Sequence, residues 1–519
     1  MFYKLKEYAE HLEICKDRKR VVESTYDKVL LYTTPLGRGS TGKISDNNPR
    51  PINATIYEAS ISFKNFVMYS LFGSKQKWAK ADLIHSLLKK KYGKDNIDKI
   101  SKHYKKKLDS VTEGIFEYIF DSNYEKEIGK SLMDWGELGT GCWKIIKLDN
   151  ITKPFTNRHV PLNELLFNED MDGEPNIIFR YLYDNLLGDL KHRYPNSNFS
   201  AYGDDDTSEV NLVECVMPKY ENGVKVFEVI LFDENLSEVL DYYVSSYNPY
   251  NVVIFSELPN TCWGMGLGIV SLDAYERINY YENLRSRQAS RIIEPPLGAI
   301  GDKSLIAQMG FEPNEINYLG DGTISNAMVQ PINTTGSLLP LEKDIDRLTQ
   351  QIQQLHFNNP FGGADNRTTR AVEEIQYRMQ LLQQKFSDAV SNLYSGVLIP
   401  AFGKPKIILE EAGIIDILEE NQYFKPKFVN LLTQTVEKQK VESLMNFTQV
   451  TQGLFPSSFP FILKEMPTIN LIAESFEINE KLLSSEEEIQ QRKQQAHEQS
   501  ISQQMLGVGM QAIAKGGVQ

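Results

Sequence analysis

A chain of 519 residues with 41% hydrophobic and 24% charged content is long enough for several domains and a large buried core, and its composition is that of a folded protein. The net charge of −13 argues against a broad grip on nucleic acid, which needs clustered Lys and Arg to neutralise phosphates. No run of about eighteen apolar residues exists, so no membrane span is expected.

The start, Met-Phe-Tyr-Lys-Leu-Lys-Glu-Tyr, lacks the apolar core of a signal peptide. Residues 1–33 read as helical and then extended, ending at Val29-Leu30-Leu31-Tyr32-Thr33. A Gly/Ser/Asn/Pro-rich loop fills 34–51, and helices are expected over 54–72, 80–92 and 95–122, the last continuing to 138. Between Lys75 and Lys107 stand twelve lysines against Asp82, Asp95 and Asp98. With no Arg and no regular aromatic interleaving, this reads as a solvated helix face.

From 141 to 259 the pattern changes to short β runs at 142–147, 177–182, 210–217, 225–232 and 252–257, with turn chemistry at Glu221-Asn222-Gly223 and an exposed loop at Asp204-Asp205-Asp206. Cys15, Cys142, Cys215 and Cys262 are far apart and outside metal-ligand spacing; they read as isolated thiols of a reducing compartment, hence cytoplasmic.

Residues 269–400 are the most informative. A helix over 269–293 runs into a Pro/Gly-rich, strand-like excursion (294–340), and a second helix follows over 341–357. Next comes the loop Asn358-Asn359-Pro360-Phe361-Gly362-Gly363, reaching to Asn366, Arg367 and Thr368, and then a third helix over 370–399. Apolar residues fall at Leu341, Ile345, Leu348, Ile352 and Leu355, then at Val372, Ile375, Met379, Leu382, Phe386, Ala389, Leu393 and Val397. Steps of three and four mark one helix face and suit packing at a shallow angle. At 1.5 Å per residue the third helix would span roughly 45 Å. Rods of that length suggest a part of a larger assembly. Helices resume near 426–453 and 468–483, and Ser485-Glu486-Glu487-Glu488 opens a Gln-rich final helix with a capping box.

Chemical motifs are few. Gly37-Arg38-Gly39-Ser40-Thr41-Gly42-Lys43-Ile44 matches a phosphate-cradling G-x-x-x-x-G-K, but Ile44 supplies no hydroxyl for Mg²⁺ and Pro49 and Pro51 bar the helix that should follow. A flexible loop is the better reading. Gly264-Met265-Gly266-Leu267-Gly268 lacks G-x-G-x-x-G spacing and reads as a tight turn feeding the long helix. The seven histidines form no ligand pair, and no G-x-S-x-G elbow exists. Acidic pairs such as Glu373-Glu374 and Glu410-Glu411 suit helix starts and solvated faces. No catalytic, cofactor or metal site emerges.

Seven segments in order resemble the portal proteins (head-to-tail connectors) of short-tailed bacteriophages. They are 50–72; Trp135-Gly136-Glu137-Leu138-Gly139-Thr140-Gly141; His159 through Arg180; Pro249 through Gly266; Glu294-Pro295-Pro296-Leu297; Ala371 through Pro400; and Leu482 through Gln499. The Lys-rich 75–107 stretch and Thr369-Arg370 depart from the family pattern.

The resemblance implies an α+β portal fold in a ring, usually dodecameric, at one capsid vertex. Its parts would be a wing (1–268 and 370–425), stem helices (269–293 and 341–357), a β-containing clip (294–340), a tunnel loop (358–369) and a helical C-terminal crown (426–519). It also implies a non-enzymatic conduit for double-stranded DNA without a cofactor. Its partners would be terminase, tail adaptor and tube proteins, the major capsid protein and scaffold. It would be found in the virion, and in the host cytoplasm during assembly.

Stem residues would include Leu272, Ile278, Leu284, Arg285 and Arg287 on one helix and the Leu341–Leu355 stripe on the other. Their charged and amide faces, with Gln288, Gln350, Gln351, Gln353 and Gln354, suit a barrel of tilted helices, although a monomer would bury similar stripes internally. The loop amides, Gly362-Gly363 and Arg367 would line a channel constriction, and an acidic wall would let DNA slide. Two other classes compete: a virion structural or scaffolding protein without a channel, and a nucleotide-binding enzyme built on Gly37–Lys43.

Overall fold

The computed structural model describes residues 2–34, 53–73, 76–84, 97–195, 205–233, 239–259, 261–293, 297–299, 329–331, 338–358, 377–415 (apart from 379 and 383), 424–429 and 431–454, with a few isolated positions. The chain divides into two compact units, Met1–Phe428 and Val429–Gln519. In the second, α10 (Leu431–Leu454) is the main described element. The 37–44 loop and the Gln-rich 485–505 stretch lie outside the described residues.

Helix α1 (Phe2–Thr33) is continuous, so the extended ending expected at Val29–Thr33 is corrected. Tyr26 and Val29 are buried in the main core with Leu138, Phe167 and Trp263, and Val22 and Leu30 pack against it. A helical stripe makes those contacts, and tertiary packing overrides the β preference of the segment. Helix α2 (Thr55–Phe72) forms as expected.

The helix expected over 80–92 begins instead as strand β1 (Ala79–Leu83). It pairs antiparallel with β12 (Phe424–Phe428), which also displaces the helix start expected at Pro426 to Leu431. Pro426 sits opposite Ala81, whose N–H donates 3.0 Å to Thr112 Oγ1 and not into the ladder. A proline fits such a position because no strand hydrogen bond is lost there. Trp78, 1% exposed, anchors the strand among Phe72, Phe116 and Phe402.

The single helix expected from 95 to 138 is two, α3 (Ile97–Asp121) and α4 (Tyr124–Leu138). At the break Asn123 turns its amide onto strand β3 (Phe155–His159): Nδ2 donates 2.7 Å to Asn157 O, and Oδ1 accepts from Asn157 N–H at 2.9 Å.

Strand β2 (Thr140–Lys147) is central in a three-stranded antiparallel sheet, between β3 and β9 (Tyr250–Ile254). A five-stranded antiparallel sheet runs β4 (Leu165–Asn168), β5 (Ile177–Leu186), β6 (Glu209–Glu221), β7 (Val224–Asp233), β8 (Val239–Ser245), with α5 (Leu187–Arg193) after β5. The β6–β7 hairpin turns on Asn222 (φ 52°) and Gly223 (φ 81°), both left-handed as a two-residue turn matched to strand twist requires.

Helix α6 (Leu267–Ile293) leads to the short antiparallel pair β10 (Leu297–Ala299) and β11 (Val329–Pro331), then to α7 (Leu339–Leu355). The remainder of the 294–340 excursion lies outside the described residues.

The third rod is not one straight helix. Its described turns at 377–385 end at Phe386 (φ −139°, ψ 64°), and α8 (Ser387–Leu393), a π turn (Tyr394–Leu398) and α9 (Ile399–Glu411) follow. Phe386 leaves helical geometry with its ring 5.2 Å from Phe255. The wider π turn delivers Pro400 into the first turn of α9, where its missing N–H is tolerated, so the helix runs past the expected stop at 399.

Candidate functional site

The apolar stripe of α7 packs with α6 as its spacing predicts. Ile278 on α6 and Ile345, Leu348 and Ile352 on α7 share one buried cluster with Ala274, Tyr275 and, from α2, Ile56 and Ala59. Leu272 packs against the neighbouring core that holds Trp263. Leu284, Leu341 and Leu355 are half-buried. Arg285 forms an ion pair with Glu282 at 2.9 Å, and Arg287 is exposed. The other face of α6 presents Val270 and Tyr280 to solvent, and at the end of the helix Ile292 and Ile293 are exposed as well, Ile293 at 77%.

Below this packing lies a junction of three chain segments. Helix α4 ends on Gly139 (φ 85°), whose N–H donates 3.1 Å to Trp135 O; strand β2 starts at the next residue. Against that step lies the Gly264–Gly268 string. A Cβ on Gly264 would stand 2.0 Å from Gly139 O, one on Gly266 2.4 Å from Gly139 N, and one on Gly268 2.5 Å from Glu137 Oε2. None of these three glycines has a positive φ. The expected tight turn is therefore corrected: the glycines are present for backbone-to-backbone approach, and the string feeds α6 from that contact.

The same junction gathers polar side chains in a dry place. His356, fully buried just beyond α7, accepts or donates through Nε2 at 3.0 Å from both Glu137 Oε1 and Tyr275 Oη. Its Nδ1 lies 2.9 Å from Ile352 O, and the Tyr275 hydroxyl donates 3.1 Å to Glu137 Oε2. Burial alone would lower the imidazole pKa, but the Glu137 charge and the hydrogen bonds to Glu137 and Ile352 outweigh it, and the net shift is upward. Burial and the same carboxylate push the Tyr275 phenol well above its ordinary value.

Phe357 follows at φ 53°, 3% exposed, and Ser62 Oγ donates 2.9 Å to Asn358 Oδ1. This fixes the root of the candidate loop. Asn359, Pro360, Phe361, Gly362, Gly363, Asn366, Arg367 and Thr368 lie outside the described residues.

Sequence reasoning passed over Glu137, Tyr275 and His356 as a group. One signal was available: His356 stands four residues after Ile352, on the buried stripe of α7, where an unpartnered imidazole is costly.

Elsewhere the charged groups are absorbed by packing. Between the two larger sheets lies a cavity of about 720 Å³. On its wall Lys144 pairs with buried Glu214, which also accepts from Tyr250 Oη at 2.5 Å. Arg180, 2% exposed, donates through Nε and Nη2 to Glu164. Glu410 pairs with Lys406 at 3.0 Å and Glu411 with Lys147 at 2.8 Å. The four cysteines are buried and free, and burial pushes the Cys15 and Cys142 thiols up to about 12, away from nucleophilic thiolate. Among the described residues no group of three or more His, Cys, Asp or Glu could hold a metal ion, and no helix is long and apolar enough to cross a membrane.

Long helices packed with two larger antiparallel sheets make this an α+β protein. The model of the bacteriophage head to tail connecting protein family matches residues 5–462, and the chain belongs to that family. It is thus a structural protein of a phage virion, joined to head and tail components. No curated protein matches the sequence.

Proposed function

We propose that this chain is the subunit of a portal ring at one capsid vertex, through which double-stranded DNA is packaged and ejected, with terminase docking first and tail proteins later. The observation that carries the reading is the two-sided stem. One side of α6 and α7 is buried against α2, the other leaves Val270, Tyr280 and Leu339 exposed, and Ile292 and Ile293 are exposed at the end of α6 beyond the packed turns. A repeated heterologous contact around an axis would cover such a face and close a ring. The acid-rich composition fits a conduit, since like-charged walls avoid tight phosphate binding. Assembly would take place in the host cytoplasm.

Within that ring the loop from Asn358 to Thr368 lines the narrowest part of the channel. Its amides, two glycines and single Arg367 make contacts that are weak and replaceable. Light scattering on the purified chain is expected to give a mass near twelve times 59.4 kDa, and a stable monomer would contradict the ring. Deleting residues 362–365 is expected to leave the ring intact and to impair packaging or retention of DNA; normal packaging and retention would remove the loop from the account.

A further inference from the structure

The junction under the stem contains more acceptors than a neutral imidazole can serve. A neutral His356 has one N–H. Placed on Nδ1 it serves Ile352 O and leaves the Nε2 lone pair facing Glu137 Oε1 at 3.0 Å; placed on Nε2 it leaves a lone pair facing Ile352 O at 2.9 Å. Tyr275 has one hydroxyl proton, and Glu137 Oε2 takes it at 3.1 Å. Every contact is satisfied when the His356–Glu137 pair holds one proton beyond neutral imidazole and carboxylate, as an imidazolium with donors on both nitrogens or with that proton on Glu137 Oε1.

We propose that His356 and Glu137 form a proton-dependent latch, which binds the end of stem helix α7 to the helix-to-strand step at Gly139 and opens when His356 loses its second ring proton. The latch spans elements that share little else in sequence: Glu137 closes α4, Tyr275 belongs to α6, and His356 stands between α7 and the loop. From α6, the buried Ser271 stands one turn before Tyr275; from α2 comes the uncharged Phe63 ring, edge-on with its centroid 6.3 Å from that of the imidazole. Glu137 and Tyr275 are the titratable groups that bond it. In the closed state Phe357 and Asn358 are fixed behind the latch; in the open state their register loosens. The latch stands on this geometry alone, and its consequence for DNA passage rests on the proposed channel.

The sign follows from the upward shift of His356. Its stabilising contribution is complete below the unfolded value near 6.5 and is lost as pH rises through the higher folded value. Burial lowers Lys404 to about 7 and Lys19 to about 8, and those contributions grow with rising pH. Global melting would mix the opposing slopes, so the readout must be local.

Hydrogen exchange of peptides spanning 339–358, corrected for intrinsic rate, should be followed from pH 6 to 9 in the full chain. Protection in the wild type is expected to fall with rising pH, by roughly tenfold for each unit that the folded pKa lies above 6.5. His356→Gln and Glu137→Gln should abolish that dependence, whereas Tyr275→Phe, which keeps the ion pair, should retain it. Flat wild-type protection, or unchanged dependence in His356→Gln, would overturn the latch. Light scattering on the same samples reports the ring separately, so failure of the latch and failure of the portal reading are distinguishable.

Discussion

At the scale of single residues, the closest approaches in this molecule occur where a hydrogen replaces a side chain. Gly264→Ala would drive a Cβ to 2.0 Å from Gly139 O, a backbone atom that cannot swing aside. We expect it to cost about 3 kcal/mol or more, read from denaturant midpoints. Gly403→Ala, inside α9 with nothing within 4 Å of its Cβ, should instead stabilise by about 0.5–1 kcal/mol. Equal effects at the two sites would contradict the packing described. The glycine string was visible in the sequence, but its reason was not, because the opposing backbone at Gly139 lies more than a hundred residues away. Glu214 makes a different case. Its burial would raise the carboxyl pKa, but Lys144, Tyr250 and Arg180 hold it below the ordinary value. Its contribution is therefore present above about 4.5 and is lost as pH falls through the depressed folded value. Glu214→Gln should cost about 3 kcal/mol at neutral pH by stranding the partly buried Lys144, and acid unfolding should then lose part of its pH dependence. An unchanged acid transition would contradict that role.

At the scale of elements, periodicity was a reliable guide where one face of a helix decides the outcome. Ile345, Leu348 and Ile352 fall in the stem core as their spacing requires. Ile345→Ala is expected to cost about 2–5 kcal/mol in thermal or denaturant unfolding, and half-buried Leu341→Ala clearly less; the reverse order would contradict the core assignment. Periodicity failed where a distant partner decides. Strand β1 has the helix-favouring sequence Ala-Lys-Ala-Asp-Leu and becomes a strand because β12 and the pocket around Trp78 receive it. Phe386 sits on the apolar stripe of the third rod, yet a second demand, its ring against Phe255, breaks the helix there. On the exposed side of α6, Tyr280→Ser should leave the unfolding of the isolated subunit within about 0.5 kcal/mol. In light scattering it should shift the equilibrium toward smaller species, and unaltered assembly would remove this face from the interface.

At the scale of the whole molecule, the order of segments said more than any one motif. The match over residues 5–462 shows the family that the resemblance named, although no catalytic or ligand-binding string guided it. The sites were harder to see. The channel we propose would be made by many copies, so its lining would leave only a weak trace in one chain, and the Glu137–Tyr275–His356 junction joins three segments that lie far apart in the sequence. The proposal of an assembly that surrounds DNA without gripping it rests on the acidic balance, the exposed apolar side chains of α6 and the anchored loop root at Asn358. Electron microscopy of the purified full-length chain tests this most directly. The account predicts a ring of repeated subunits around an open central hole; single particles, filaments or closed assemblies without a hole would contradict it.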